Sequence, residues 1–586
     1  MKIDHNMLDG DFDIYEKKGG SKRRRRHRRN KFLVMLIPLF VAAVLILMIG
    51  FVSYKTGLIE GFGGSNEEAD RQSLFSITKD NEVGIIYNDS YIETTALKIN
   101  DEIYVPFDFV NENLNPDFYY NEEEQQLLYS TPTETMSWKS DDNALYIEDN
   151  VCYLALSFVK QYTNLYTDEF SDGLDRVIIK NDWGEASMAT VAKKTELRTG
   201  ESTKRAWIEK LAKGDSVKII SANDAWSYVR TNGGYIGYVQ NKRLKDVHTE
   251  EENEVTDVAP FDYTSIHYDG KVILGWHQVT NPAANAYLGS VVSKTSGMNV
   301  VAPTWLSLRD TDGAFTDISS SDYVTQAHNM GLKVWVVADN FNFSEFSPTA
   351  DTYTVLSNTE KRQQLAEYLV ASVVNCGADG LNIDFEQLSG ETGQHFAQFI
   401  RELSIECRKS GIVLSVDNYV PMAYSKLYHR EVQGKVADYV IIMGYDEYNA
   451  ASEEAGPVAS IGFVRDGIDK TLEEVDASKV INAVPFYTRI WTSGNGSLSS
   501  QAVGMSDAAQ FIANHALSME WDETSGYNYA TGSDSKNTYQ VWLEDEQSIA
   551  LKLNYMKEKN LAGFACWRLG FEKSEVWQDI AAYAAE

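Results

Sequence analysis

Apolar residues recur with different periods in different parts of this 586-residue chain. From residue 268 onward, eight strand-like apolar runs appear: KVILGWHQV, NVVAPTWLSL, KVWVVADNF, GLNIDFE, VLSVDNY, YVIIMGYDEY, VINAVPFYTRIW and AGFACWRLG. Amphipathic stretches such as EKRQQLAEYLVASVVNC and GQHFAQFIRELSIECRKSG lie between them, with the spacing of helices packed on one face. Eight strand-then-helix units over 268–586 predict an α/β domain, a (β/α)8 TIM barrel. Before it, 78–182 offers short runs (VGIIYN, EIYVPF, QLLYS, RVIIKN) broken by Asn/Asp turns, with one helical stretch near LALSFVKQY. Residues 187–247 repeat that all-β pattern. Two small β-rich domains should therefore precede the barrel, with an acidic linker at 248–267.

The N-terminus follows another rule. Phe32 to Tyr54 contains no charged residue, a length that spans a bilayer core of about 30 Å. The run is too long for a cleaved signal peptide, and no small-x-small site follows it. Residues 1–31 hold eleven Lys/Arg against five Asp/Glu in a chain of net charge −32. Basic residues on that side place 1–31 in the cytoplasm and everything beyond the 55–77 linker outside the cell. The rest of the chain is strongly acidic, which argues against nucleic acid as a partner. A hydrophobic content of 43% describes folded modules. The four cysteines form no CxxC pair and read as buried free thiols. The nine histidines have no metal-ligand spacing, and no metal or cofactor is expected.

The candidate chemistry lies in Asp379-Gly-Leu-Asn-Ile-Asp-Phe-Glu386. Read as a strand, it puts Leu381, Ile383 and Phe385 on one face and Gly380, Asn382, Asp384 and Glu386 on the other. Unpaired buried carboxylates are costly, so a strand like this should end in a pocket. Two carboxylates one pleat apart disfavour double ionisation, which keeps one protonated near neutral pH, as a general acid requires.

This segment resembles the D-x-x-D-x-D-x-E signature of family-18 glycoside hydrolases, the chitinase-like barrels. Met443-Gly-Tyr445-Asp446 on strand six and Trp567 at the end of strand eight match two further motifs of that family. The resemblance covers the C-terminal half only. It implies a retaining, substrate-assisted hydrolysis in which the 2-acetamido oxygen of the sugar attacks its own anomeric carbon. Glu386 would be the acid/base, Asp384 would bind the acetamido N–H, and Tyr445 would position the acetamido oxygen. Asp379, Asn382, Met443, Asp446, Trp567 and Trp305 would complete the substrate site. The implied partner is an N-acetylated glycan. Asn382 stands where the family has a second Asp; its amide should donate a hydrogen bond to Asp384 without adding charge.

Pro303-Thr-Trp305, Asn382 and Val541-Trp-Leu-Glu-Asp-Glu546 look like the spore-cortex-lytic N-acetylglucosaminidase branch, which acts on peptidoglycan. Trp226 and Gly237-Tyr-Val239 make 187–247 similar to bacterial SH3-like domains. Residues 78–182 resemble the stalk-type N-terminal domain of copper amine oxidases, without a His cluster for copper. A chitinase, an endo-N-acetylglucosaminidase or a non-catalytic glycan binder remain alternatives. Residues 492–538 read as an insertion walling the cleft. Trp276, Asp339, Asn340 and Asp417 end strands and could face the site or pack, and Glu544 could reach the cleft or pair with a neighbouring Arg or Lys.

Overall fold

All eight C-terminal runs are strands: β1 (Val272–His277), β2 (Val300–Leu308), β3 (Lys333–Asp339), β4 (Gly380–Asp384), β5 (Val413–Tyr419), β6 (Tyr439–Met443), β7 (Val480–Pro485) and β8 (Gly563–Trp567). They pair in parallel in chain order. Leu274 lies beside Ala565, so β8 returns to β1 and the barrel closes. This is a computed structural model describing residues 64–140 and 142–585. The expected tail at 1–31 and membrane span at 32–54 lie outside the described residues. Among the described residues, no helix is long and apolar enough to cross a membrane.

Side-chain alternation along each strand separates two apolar layers. Trp276, Trp335, Tyr439 and Ile441 fill the barrel interior. Gly380 opens β4 because a Cβ there would lie 2.6 Å from the Trp335 ring. On the outside, Leu381, Ile383 and Phe385 pack beneath α1 (Thr359–Cys376) and α2 (Thr392–Ser410), the helices on either side of β4 in the chain. Asn358 caps the start of α1, and Gly377, with φ 78°, ends it in the left-handed conformation that glycine adopts freely. All four cysteines are free and buried.

The insertion after β7 is larger than its Gly/Ser-rich centre suggested. Strands from Tyr487–Gly494 to Thr538–Leu543 form a five-stranded sheet, and Met505–Asn514 is a helix within the same segment. Ile490, Ile512, Tyr539 and Val541 give it a core of its own.

Residues 75–183 and 253–586 make one compact unit, so the region read as a separate stalk is packed onto the barrel. It holds a seven-stranded sheet and a three-stranded one, Phe118–Asn121, Gln126–Ser130 and Thr135–Lys139. The smaller sheet meets α1 and α2 through polar side chains. Asn121 Nδ2 donates to the Ser357 carbonyl at 2.7 Å, and Gln398 Nε2 donates to Ser130 Oγ at 3.0 Å. At the centre of the seam, Arg362 of α1 pairs with Glu402 of α2 at 2.8 Å, with 0% and 4% of these side chains exposed. The Tyr119 ring lies 5.1 Å from that guanidinium. The latter part of the expected 248–267 linker is also held: Val258 exchanges hydrogen bonds with Asn164, and Ile266 N donates to Asp438.

The second compact unit comprises Gly184–Glu252 together with the described residues up to Leu74. Its seven strands run from Glu185 to Glu251, and the last carries Glu250 into register with Ala186, so the acidic linker begins inside a sheet. Arg71 Nε donates to the Ile208 carbonyl at 3.0 Å, which fixes part of the segment read as the 55–77 linker.

Arg362→Ala leaves Glu402 as a buried, unpaired carboxylate. Chemical denaturation followed by tryptophan fluorescence should report a loss of about 3–5 kcal/mol.

Candidate active site

The C-terminal ends of the barrel strands enclose a cavity of about 430 Å³. Of the nine residues nominated from the sequence, seven line it: Trp305 from β2, Asp384 at the end of β4 and Glu386 just after it, Met443 at the end of β6 with Tyr445 and Asp446 just after it, and Trp567 from β8. Alternation along β4 turns Asp384 and Glu386 inward while Ile383 and Phe385 stay in the outer core.

Two nominations change. Asp379 precedes the first residue of β4, at the opposite end of the barrel. Its carboxylate accepts from Lys333 Nζ at 2.8 Å and from Val334 N at 2.9 Å, and meets His328 Nε2 at 2.7 Å, so it binds the barrel's own structure rather than substrate. These partners hold it below its ordinary pKa against the opposing effect of burial. Asn382 is fully buried below the cavity and makes no hydrogen bond to Asp384. Its Oδ1 accepts from Trp276 Nε1 at 2.9 Å, and its amide donates to Ser415 Oγ at 3.0 Å and Asp417 Oδ1 at 2.9 Å. The indole N–H can only donate, which fixes which end of the amide faces Asp417.

The carboxyl groups at the mouth are strongly perturbed. Burial first, then the charges of Glu386, Asp417 and Asp339, push Asp384 well above the ordinary carboxylate range. Asp384 Oδ1 is buried and meets no donor from the protein. Glu386 is also raised, by burial and then by Asp446 and Asp339, against a hydrogen bond from Tyr419 that lowers it. Burial raises the Tyr445 hydroxyl well above its usual value, with Asp384 the largest charge acting on it, so it stays a neutral donor.

Several residues that shape this geometry carried little signal. Asn340 clamps Glu386 from both sides: its Nδ2 donates to the Glu386 carbonyl at 2.9 Å, and its Oδ1 accepts from Glu386 N at 2.8 Å. Tyr419, the last residue of β5, donates to Glu386 Oε2 at 2.6 Å. Tyr487 donates to Asp446 Oδ1 at 2.6 Å and lines the cavity. Both tyrosines occupy strand ends, where barrel chemistry concentrates, and position alone could have nominated them. Asp339 accepts from Ser307, Phe341 N and both nitrogens of Asn342. Trp276 packs inside the barrel. Glu544 is buried against Lys552 Nζ at 2.7 Å, which settles it as a structural ion pair. Among the described residues, no group of three or more His, Cys, Asp or Glu is arranged to hold a metal ion.

Tyr419→Phe removes the one hydrogen bond that lowers the Glu386 pKa. The Glu386 titration should move up by about one pH unit, the worth of a hydrogen bond to a charged group near 1.5 kcal/mol, read from the alkaline limb of the rate profile. For Asp384 the folded pKa is raised, so its ionisation costs stability at neutral and alkaline pH and nothing once the pH falls below its unfolded value near 4. Asp384→Asn should therefore unfold at higher denaturant than wild type at about pH 8, with the difference closing by about pH 4.

Comparison with known proteins gives the family. The chain is 25% identical over 297 residues to the uncharacterized glycosylase YvbX of Bacillus subtilis, covering 48% of this chain and 84% of that one. It is 26% identical over 264 residues to the cortical fragment-lytic enzyme of the same organism, covering 43% of this chain and 60% of the relative. Among solved structures, the Bacillus megaterium spore cortex-lytic enzyme SleL aligns at 18% identity with a TM-score of 0.46, covering 63% of this chain and 89% of that one. The family model for glycosyl hydrolases family 18 matches residues 235–572, which contain all eight barrel strands and the cavity-lining residues. The chain belongs to glycosyl hydrolase family 18.

Proposed function

We propose that this protein is a membrane-anchored, extracellular hydrolase of N-acetylglucosaminyl bonds in peptidoglycan, working by substrate-assisted catalysis. The observation that carries this reading is the placement of Glu386 and the unpartnered Asp384 Oδ1 in one cavity, with Tyr445 beside them. Glu386 is held toward its protonated form and donates to the glycosidic oxygen. The sugar's acetamido oxygen attacks the anomeric carbon, so no enzyme carboxylate forms a covalent bond. Asp384 accepts the acetamido N–H. The neutral Tyr445 hydroxyl positions the acetamido oxygen, Asp446, aligned by Tyr487, binds the sugar, and Trp567 lies under its ring. Glu386 then takes a proton from the incoming water and the intermediate opens.

Peptidoglycan as the substrate is supported by the cortical fragment-lytic relatives. Residues 1–31 and 32–54 supply the basic flank and apolar span of an anchor, and Trp226 with Gly237–Val239 supports an SH3-like wall-binding module.

Purified cell wall and chitin oligomers, each digested by wild type and by Glu386→Gln, test the reading. Wild type should release muropeptides faster than chitin fragments, and Glu386→Gln should be slower by about a thousandfold. Equal lysis by both proteins would contradict the acid assignment. Faster chitin cleavage would contradict the substrate, and binding without cleavage by wild type would make the barrel a lectin.

A further inference from the structure

Asn382 occupies the level of β4 where a second carboxylate is expected, yet a third carboxylate is present one strand away. In the parallel register Asn382 lies beside Ser415 and Ile383 beside Val416, so the next step brings Asp384 level with Asp417 on β5. On the other side, Asp339 of β3 is paired directly with Asp384. Neighbouring strands run about 4.8 Å apart, and residues at one level of adjacent strands turn to the same face. Asp339, Asp384 and Asp417 therefore form one row across three strands.

Asp417 is 2% exposed. Its hydrogen bond from the Asn382 amide leaves most of its acceptor capacity unused. A carboxylate held this way is expensive, and an Asn would fill the same space at lower cost. Burial drives this carboxyl toward its neutral form, as it does Asp384, so packing alone does not account for an acid here.

We propose that Asp417 is a positioning residue for the reaction: from β5 it supplies the second buried carboxylate that Asn382 removes from β4, and it acts on Asp384 across the strand pair. This rests on the function proposed above. The groups facing Asp384 are Glu386 on its own strand, Asp339 from β3, Asp417 from β5 and Tyr445 after β6; none is a cation. Among them, Asp417 is the carboxylate that Asn382 holds directly. Replacing it with Asn removes an influence that helps hold the proton on Asp384, which lets Asp384 ionise more readily and weakens the proton-holding pair that the acetamido group meets.

Asp417→Asn and the double exchange, Asn382→Asp together with Asp417→Asn, test this. The exchange keeps the hydrogen bond with donor and acceptor reversed, and the carboxylate it places on β4 still accepts from the Trp276 indole. Asp417→Asn should lower kcat by about tenfold with little change in KM and shift the pH profile, and the exchange should restore both. Independently of any substrate, the infrared band of the protonated buried carboxyl, identified by its loss in Asp384→Asn, should disappear at lower pH in Asp417→Asn and recover in the exchange. An unchanged band and pH profile in Asp417→Asn overturns the proposal. So does an impaired Asp417→Asn that the exchange fails to rescue. If Asp417→Asn does not fold, the exchange alone decides: a wild-type band and rate support the proposal, and their loss overturns it. A wild type inactive on N-acetylated glycans, with the band responding as expected, would refute the assigned function and leave the carboxylate pairing standing.

Discussion

Three aspartates at one level of a closed barrel, with a glutamate just above, impose a constraint that most of the site answers. At roughly 5 Å spacing and an effective dielectric near 20, each like-charged pair costs about 3 kcal/mol, so the row cannot be fully ionised. The number of donors ranks its members. Asp339 accepts four hydrogen bonds, Asp417 accepts one, and Asp384 Oδ1 meets none. The proton is held most firmly where the donors are fewest. Asp384 lines the cavity with that oxygen unpartnered, and the same shortage of donors that destabilises the folded chain leaves the site an acceptor for a ligand's N–H.

Rigidity follows from the same need. A raised carboxylic acid is useful only if its distance to the reacting bond is fixed. Asn340 grips the backbone of Glu386 on both sides, Tyr419 holds its carboxylate, and the Trp276–Asn382–Asp417 chain fastens the floor beneath Asp384. Behind β4, α1 and α2 are tied together by the buried Arg362–Glu402 pair and covered by the small three-stranded sheet. The accessory domain thus buttresses the two helices that follow β3 and β4.

The barrel was legible because its strands are continuous apolar runs and their order repeats without interruption. Asp384, Glu386, Tyr445, Asp446 and Trp567 were legible because their motifs end strands, and the fold puts every strand's C-terminal end at one mouth. What escaped depends on contacts between distant segments. Asp379 shares a motif with Glu386, but the length of β4 carries it to the other end of the barrel. Asn382 sits one pleat from Asp384, yet its partners come from β1 and β5. The parallel register that levels Asp417 with Asp384 joins residues 33 positions apart and leaves no local trace. The 78–182 region read as a stalk because nothing in its turns and short strands announces a docking face; Asn121 and Ser130 acquire that role only against Ser357 and Gln398.

In the proposed mechanism the substrate's own acetamido group is the nucleophile, with Asp384 and Tyr445 arranged around it. The most direct measurement compares cleavage of matched oligosaccharides whose reacting sugar carries N-acetyl, N-trifluoroacetyl or a free amine. With an acetamido nucleophile, kcat should fall steeply as the carbonyl oxygen is made less nucleophilic and vanish for the free amine, with binding far less affected. A kcat that is the same for all three would contradict it.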